Sequence, residues 1–215
     1  MIKHIWFDMG GTLYQETAAF KKEHDALRYK AYADIVNEPD MTKAKQGYDA
    51  MYAAYGSNSA VFTKLGKPSD YWQNIFDNLD LATVLIPDQT VNTTLMSLSR
   101  KVPLSLFTNF KPQRIAEVCQ ILTIDASIFT HILSGDDVKK RKPDVEGFEK
   151  MIQLSNLPAR DVLYVGDRID VDIKPAHSIG MRTCLVWSSS DTADYSVPTF
   201  SALEAIIRGA LPSDK

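Results

Sequence analysis

Five short apolar segments, separated by stretches with helical periodicity, constrain the fold of this chain more than any other feature. They span residues 2–7, 102–107, 129–133, 162–165 and 183–187. Each is rich in branched or aromatic side chains and is closed by polar residues or glycine, which is typical of strands buried on both faces. Strands that alternate with helices predict crossover connections and therefore a parallel sheet in an α/β, Rossmann-like core.

A long helical stretch interrupts this alternation after the first strand. From residue 16 to residue 85, aromatic and aliphatic side chains recur at three- and four-residue spacings, as in Phe20, Leu27 and Tyr32. Such spacing predicts amphipathic helices. We therefore predict an α/β core made of residues 1–14 and 96–215, with a helical domain at 15–95 inserted between its first and second strands.

Composition argues against several classes of partner. The 215 residues include 24 lysines and arginines and 27 aspartates and glutamates, for a net charge of −3. This balance does not fit a nucleic-acid-binding surface. The sequence has no stretch long and apolar enough to span a membrane, and its first residues do not resemble a signal peptide. We expect a cytoplasmic globular protein without nucleic-acid or membrane partners, and the sequence leaves its oligomeric state open.

Polar side chains follow the predicted strands at the edge of the sheet where open parallel sheets bind their ligands. These side chains belong to Asp8, Thr108, Asn109, Lys142, Asp167 and Asp172. Carboxylates suit Mg²⁺, which is held in proteins by a few carboxylates and keeps several waters. A lysine and backbone N–H groups suit phosphate oxygens. The pattern therefore predicts a site for a divalent cation and a phosphoryl group.

Four segments in chain order resemble the motifs of the haloacid dehalogenase superfamily of hydrolases. They are FDMGGTL at 7–13, LFTN at 106–109, KKRKPD at 139–144 and YVGDRIDVDIKPAHSIGMRT at 164–183. The resemblance covers residues 1–14 and 96–205, and the insertion lies where the family has a helical cap. It implies a Mg²⁺-dependent hydrolase, a phosphatase that acts on a small phosphorylated metabolite through an aspartyl-phosphate.

The same resemblance implies a metal site built around the first and fourth motifs. Asp8 would be both the nucleophile and a ligand of Mg²⁺, together with Asp167. Asp172 would bind the ion through water or fix the position of Lys142. The backbone carbonyl of Gly10 would complete the protein ligands.

For the phosphoryl group, the resemblance implies three further residues. Thr108 and the backbone N–H of Asn109 would hold the phosphoryl oxygens. Lys142 would orient Asp8 and neutralise charge in the transition state. For the neighbouring cations at 139–141 and for Asp170, we expect solvated surface roles.

Gly10 departs from the superfamily pattern. Phosphatases of the superfamily carry a second aspartate there, which protonates the leaving oxygen and then activates water. Such acid–base help is typically worth about 10²–10⁴-fold. Glycine cannot supply it, although Tyr14 or Glu16 just downstream could. We expect Gly10→Asp to raise phosphatase turnover.

Other reactions follow from this departure and stay open at this point. A dehalogenase needs no proton for its leaving halide, but Asp167 and Asp172 favour phosphoryl transfer. Phosphonate-cleaving relatives also lack the acid, yet they need a lysine from the cap, and no motif surrounds Lys43 or Lys45. A weakly active, phosphate-binding regulatory relative is a further alternative.

Overall fold

The computed structural model describes residues 1–209, which form two compact units. One unit comprises residues 1–15 and the chain from residue 86 onward, and the other comprises residues 16–85. The helical unit thus ends at Leu85 rather than at the predicted residue 95, because the helix Gln89–Ser99 packs within the first unit. Residues 210–215 of the predicted core lie outside the described residues.

Among residues 1–209, six strands form one sheet in which every neighbouring pair is parallel. They are β1 (His4–Phe7), β2 (Leu104–Phe107), β3 (Phe129–Leu133), β4 (Val162–Gly166), β5 (Arg182–Val186) and β6 (Tyr195–Val197). The order β3-β2-β1-β4-β5-β6 confirms the predicted α/β, Rossmann-like fold class. The strand order reverses beside β1, and such a switch point is where open α/β sheets bind ligands.

The helical unit has its own aromatic core. Its helices are α1 (Ala18–Val36), α2 (Met41–Tyr55), α3 (Asn58–Lys64) and α4 (Tyr71–Phe76). Tyr48 is fully buried, and its ring meets the rings of Tyr29 and Tyr32 edge to face at 5.6 and 5.9 Å between centroids. The tyrosines of this unit therefore contribute to helix packing.

The helices of the first unit follow its strands. They are α5 (Gln89–Ser99), α6 (Pro112–Ile121), α7 (Glu146–Ser155), α8 (Lys174–Ser178) and α9 (Leu203–Ile207). A π-helical turn at Ile169–Ile173 precedes α8. Every helix within residues 1–209 is too short or too polar to cross a membrane.

The centre of the sheet is closely packed. All four residues of β1 are buried, and Trp6 lies in one core cluster with Phe107, Phe148 and Tyr164. Because both faces of β1 are covered, a charged residue at its end has to find partners inside the protein.

Candidate active site

Asp8 directly follows β1 and is buried. Its backbone N–H donates to the carbonyl of Val165 at 2.9 Å, which extends the pairing of β1 with β4. On the other side, Phe7 is in register with Leu106 of β2. Asp8 therefore lies at the carboxyl edge of the sheet, between the ends of two neighbouring strands, as the sequence predicts.

A buried lysine is the main partner of Asp8. The Lys142 ammonium donates to Oδ1 of Asp8 at 2.7 Å, to Oδ1 of Asp172 at 2.7 Å and to the hydroxyl of Tyr164 at 2.8 Å. These contacts use all three of its N–H donors. Burial by itself would lower the pKa of Lys142, but Asp172 and Asp8 outweigh burial and raise it. Lys142 is therefore charged and held in one position.

Three carboxylates from distant parts of the chain meet beside this lysine. Asp8, Asp167 and Asp172 each offer an oxygen within 4.8 Å of the others. Burial raises the pKa of Asp8, and Asp172 adds to this effect while Lys142 opposes it. Burial, then Asp172 and Asp8, raise the pKa of Asp167 to about 8. When all three carboxylates are ionised, they carry more negative charge than Lys142 balances.

This cluster fits a divalent cation. Hard ions such as Mg²⁺ take oxygen ligands, often from one or two carboxylates and waters. Asp167 is partly exposed, whereas Asp8 and Asp172 are buried, so the donor set is open on one side. A cation here would offset the charge that raises the pKa of Asp167.

Asp172 is fixed by contacts on both of its oxygens. Its Oδ1 accepts from Lys142, and its Oδ2 accepts from the backbone N–H of Arg168 at 3.2 Å. The π-helical turn Ile169–Ile173 brings it there. The contact with Lys142 fits the role of fixing the position of that lysine, which is one of the two roles that the resemblance implies for Asp172.

Gly10 lies two residues after Asp8 in a crowded place. A Cβ atom at this position would lie 3.1 Å from Cζ of Phe110 and 3.5 Å from the hydroxyl of Tyr14. A side chain at residue 10 would thus require the Phe110 ring to move by a few tenths of an ångström.

Thr108 and Asn109 follow β2 and lie at the same edge of the sheet. Thr108 is buried, and its hydroxyl accepts from the backbone N–H of Phe110 at 3.4 Å. The amide side chain of Asn109 donates to the Lys142 carbonyl at 3.0 Å and accepts from the Lys142 N–H at 2.9 Å. This double contact, which the sequence did not predict, fixes the backbone that carries Lys142.

Tyr164 and Thr12 are site residues that the sequence analysis missed. Tyr164 lies in β4, and its hydroxyl accepts from Lys142 and donates to the Phe107 carbonyl at 3.3 Å. The Thr12 hydroxyl donates to Oδ1 of Asp167 at 3.3 Å. A tyrosine inside a buried strand needs a partner for its hydroxyl, and that was the available signal for Tyr164.

The remaining charged residues of these motifs have contacts outside the cluster. The backbone N–H groups of Lys139 and Lys140 donate to the carboxylate of Glu146 at 2.8 and 3.1 Å. Asp170 pairs with Lys174 at 2.6 Å, and its side chain is 76% exposed. Lys139, Lys140 and Asp170 are exposed, in line with the surface roles expected for them. Arg141 is instead half-buried and pairs with Asp136 at 3.2 Å.

Two known proteins are similar to this chain over most of its length. It is 26% identical over 221 residues to the glyceraldehyde 3-phosphate phosphatase of Methanocaldococcus jannaschii, covering 96% of each chain. It is 28% identical over 186 residues to the phosphoglycolate phosphatase of Photorhabdus laumondii, covering 83% of this chain and 77% of that one.

A solved structure shares the fold of this chain, and a family model matches most of its sequence. The magnesium-bound HAD-hydrolase YfnB from Bacillus subtilis shares the fold with a TM-score of 0.65 and 17% identity, covering 96% of this chain and 99% of that one. The model of the haloacid dehalogenase-like hydrolases matches residues 5–186. The matched range contains Asp8, Lys142 and the carboxylates beside them. The chain therefore belongs to the haloacid dehalogenase-like hydrolase family.

Proposed function

We propose that this protein is a Mg²⁺-dependent phosphatase that hydrolyses a small phosphorylated metabolite through an aspartyl-phosphate at Asp8. The observation that carries the proposal is the buried Lys142 ammonium, 2.7 Å from both Asp8 and Asp172, with Asp167 beside them. The two relatives support the substrate class, since both are named as phosphatases of small phosphorylated compounds.

In the first step, an oxygen of Asp8 attacks phosphorus, the bond from phosphorus to the leaving oxygen breaks, and the aspartyl-phosphate forms. Lys142 contacts Oδ1 of Asp8, so it restricts rotation of the carboxylate. Its positive charge opposes the negative charge on the phosphoryl oxygens in the transition state. The leaving oxygen takes a proton from water. In the second step, water attacks phosphorus and loses a proton to solvent, the bond from phosphorus to the Asp8 oxygen breaks, phosphate leaves, and the Asp8 carboxylate is restored.

The metal would be held by Asp8, Asp167, Asp172 and the carbonyl of Gly10. When bound, Mg²⁺ supplies positive charge against the phosphoryl oxygens. Asp172 would act mainly by fixing Lys142, since its Oδ1 already accepts from that ammonium.

The phosphoryl oxygens would bind to Thr108 and to the backbone N–H of Asn109. Both residues follow β2, next to the strand that carries Asp8. The Asn109 side chain would add a second role, because it holds the Lys142 backbone through two hydrogen bonds. Loss of this side-chain amide would therefore displace Lys142, while the backbone N–H that holds the phosphoryl group would remain.

We also propose that residues 16–85 act as the cap that selects the substrate. The support is that they form a compact unit with an aromatic core of its own, inserted eight positions after the proposed nucleophile. A cap that closes over a hydrolytic site excludes bulk water and adds contacts to the substrate.

Gly10 favours a second candidate, the cleavage of a carbon–halogen bond. A halide leaves without a proton, so this reaction does not need an acid at residue 10. Against it stands the cluster of Asp8, Asp167 and Asp172, whose three carboxylates fit a divalent cation, and a cation with the Lys142 ammonium fits a phosphoryl group. Phosphoryl transfer is therefore the better supported reaction.

The test is hydrolysis of p-nitrophenyl phosphate, a panel of phosphorylated metabolites and a panel of 2-haloacids, each with Mg²⁺ and with EDTA. We expect Mg²⁺-dependent release of phosphate, reduced by roughly 10³-fold or more in Asp8→Asn. Asp170→Asn is the matched control, because this exposed carboxylate pairs with Lys174. Halide release without phosphate release, or an Asp8→Asn variant as active as the wild type, would exclude the proposed reaction.

A further inference from the structure

Trp187 directly follows β5 and has an unusual backbone conformation. Its φ of 65° lies in the left-handed region, which bulky side chains seldom adopt. Its backbone N–H donates to the Val197 carbonyl at 2.9 Å, so the conformation is held by the end of β6. Strained residues of this kind are often found near functional sites.

The indole ring of Trp187 makes two contacts, of which the hydrogen bond holds it against the turn after Asp8. Its N–H donates to the backbone carbonyl of Thr12 at 3.2 Å, and the ring stacks on Phe200 at 6.0 Å between centroids. Thr12 is fully buried. Without the indole N–H, the Thr12 carbonyl would lose its hydrogen-bond partner, which is costly inside a protein.

Thr12 connects this contact to the carboxylate cluster. Its hydroxyl donates to Oδ1 of Asp167 at 3.3 Å. The neighbouring Gly11 has a φ of 78° and lies so close to the Asp167 carboxylate that a Cβ atom would collide with it. The turn is closed by the N–H of Leu13, which donates to the Met9 carbonyl at 3.0 Å. The turn after Asp8 therefore lies directly against Asp167.

We propose that Trp187 is a positioning residue that fixes the turn after Asp8 and, through Thr12, the orientation of Asp167 relative to Asp8. This inference rests on the proposed function, in which Asp8 and Asp167 hold Mg²⁺ together. Partners of metal-binding carboxylates typically change metal affinity or activity by about 10–100-fold when they are removed. Trp187 acts one contact further out, so the lower end of this range applies.

The test is Trp187→Phe, which keeps an aromatic ring on Phe200 and removes the N–H. The first readout is the Mg²⁺ concentration that gives half of the Mg²⁺-dependent rise in Tm, and we expect this concentration to increase by about ten-fold. The second is p-nitrophenyl phosphate hydrolysis at saturating Mg²⁺, for which we expect a lower kcat and an unchanged KM. Unchanged half-saturation and kcat would overturn the inference.

Phe200→Leu separates this role from general stability. It removes the stacking partner and keeps the indole N–H, so we expect a lower Tm with the wild-type Mg²⁺ half-saturation. An equal change of half-saturation in Phe200→Leu and Trp187→Phe would overturn the inference, because stability alone would then explain both.

Thr12→Val provides a second test of whether Trp187 acts on Asp167 through Thr12. This variant removes the hydroxyl that contacts Asp167, so Trp187→Phe should have less effect on Mg²⁺ half-saturation in the Thr12→Val background than in the wild type. Fully additive effects would overturn the inference. If the wild type hydrolyses none of the phosphate esters, the proposed function fails, and the Mg²⁺ titration of Tm still tests Trp187 because it needs no turnover.

Discussion

Replacing Lys142 by methionine removes the ammonium between Asp8 and Asp172 while keeping most of the apolar volume of the side chain. At an effective dielectric constant of about 20, two unit charges at the observed 2.7 Å attract each other by about 6 kcal/mol. Desolvation of the buried ammonium offsets much of this attraction, and removing one partner of a buried pair typically costs about 3–5 kcal/mol. Because Lys142→Met leaves two carboxylates without the ammonium, we expect the free energy of unfolding to fall by about 5 kcal/mol, near the upper end of this range.

The pH dependence of this loss has a definite sign. The pKa of Lys142 is raised, so its stabilising contribution is complete below the ordinary lysine pKa and is lost only as the pH rises through the raised value. In Lys142→Met, Asp8 loses the charge that favours its ionised form, so its pKa, which burial already raises, rises further. Such carboxylates take up protons on folding, and the difference in stability between wild type and variant should therefore shrink from about pH 7.5 to about pH 5.

The assay is urea unfolding of both proteins without Mg²⁺ at these two pH values. Lys139→Met is the matched control, since Lys139 is exposed in the same segment. We expect this substitution to lower the free energy of unfolding by less than about 0.5 kcal/mol. A loss below about 1 kcal/mol for Lys142→Met at neutral pH would refute the reasoning, because it would mean that water or protons compensate Asp8 and Asp172 as well as the ammonium does.

Two further predictions concern Gly10 and His4. Gly10→Asp should raise the turnover of an alkyl phosphate by up to about 10²-fold. The gain should be larger in a Phe110→Ala background, because the Phe110 ring lies 3.1 Å from the required Cβ atom. No gain in either background would mean that another group transfers the proton. Burial, with a smaller effect of His131, lowers the pKa of His4 to about 4, so the unfolded chain binds a proton that the folded protein excludes. Stability should fall by about 2 kcal/mol from pH 7 to pH 5 because of this residue alone, and urea unfolding should show a smaller fall in His4→Gln.

The sheet could be predicted because β1, β2, β4 and β5 are mostly apolar and buried. The expectation of burial on both faces is wrong for β3, where Thr130 and Ile132 are exposed because this strand forms an edge of the sheet. The segment at 129–133 matches β3, and the other four segments each overlap one observed strand. The sequence analysis missed β6, Tyr195–Val197, which has three residues and is only partly buried. A short edge strand of this kind leaves no continuous apolar segment to detect.

The end of the insertion was harder to predict than the strands of the sheet. Helical periodicity continues from the insertion into α5, which packs in the first unit. Periodicity reports that a helix has a buried face, but not which unit covers that face. The boundary after Leu85 therefore needed the packing of the folded chain.

Within the site, the charged residues could be found and the aromatic ones could not. Asp8 stands out because it follows a buried strand directly. Tyr164 and Trp187 lie in or beside apolar segments, where an aromatic side chain predicts only a core position. Their polar atoms contact Lys142 and Thr12, and Thr12 is 175 positions from Trp187. No local pattern predicts a contact over such a separation.

The two glycines after Met9 are there for different physical reasons. Gly11 has a φ of 78° and lies against the Asp167 carboxylate, so both the backbone and the close approach exclude a larger residue. Gly10 does not have a positive φ, and its surroundings oppose a side chain only through the Phe110 ring and the Tyr14 hydroxyl. The turn therefore requires Gly11 but does not require Gly10. What Gly10 changes is the chemistry beside Asp8, because aromatic groups now border the place where a superfamily phosphatase carries its acid.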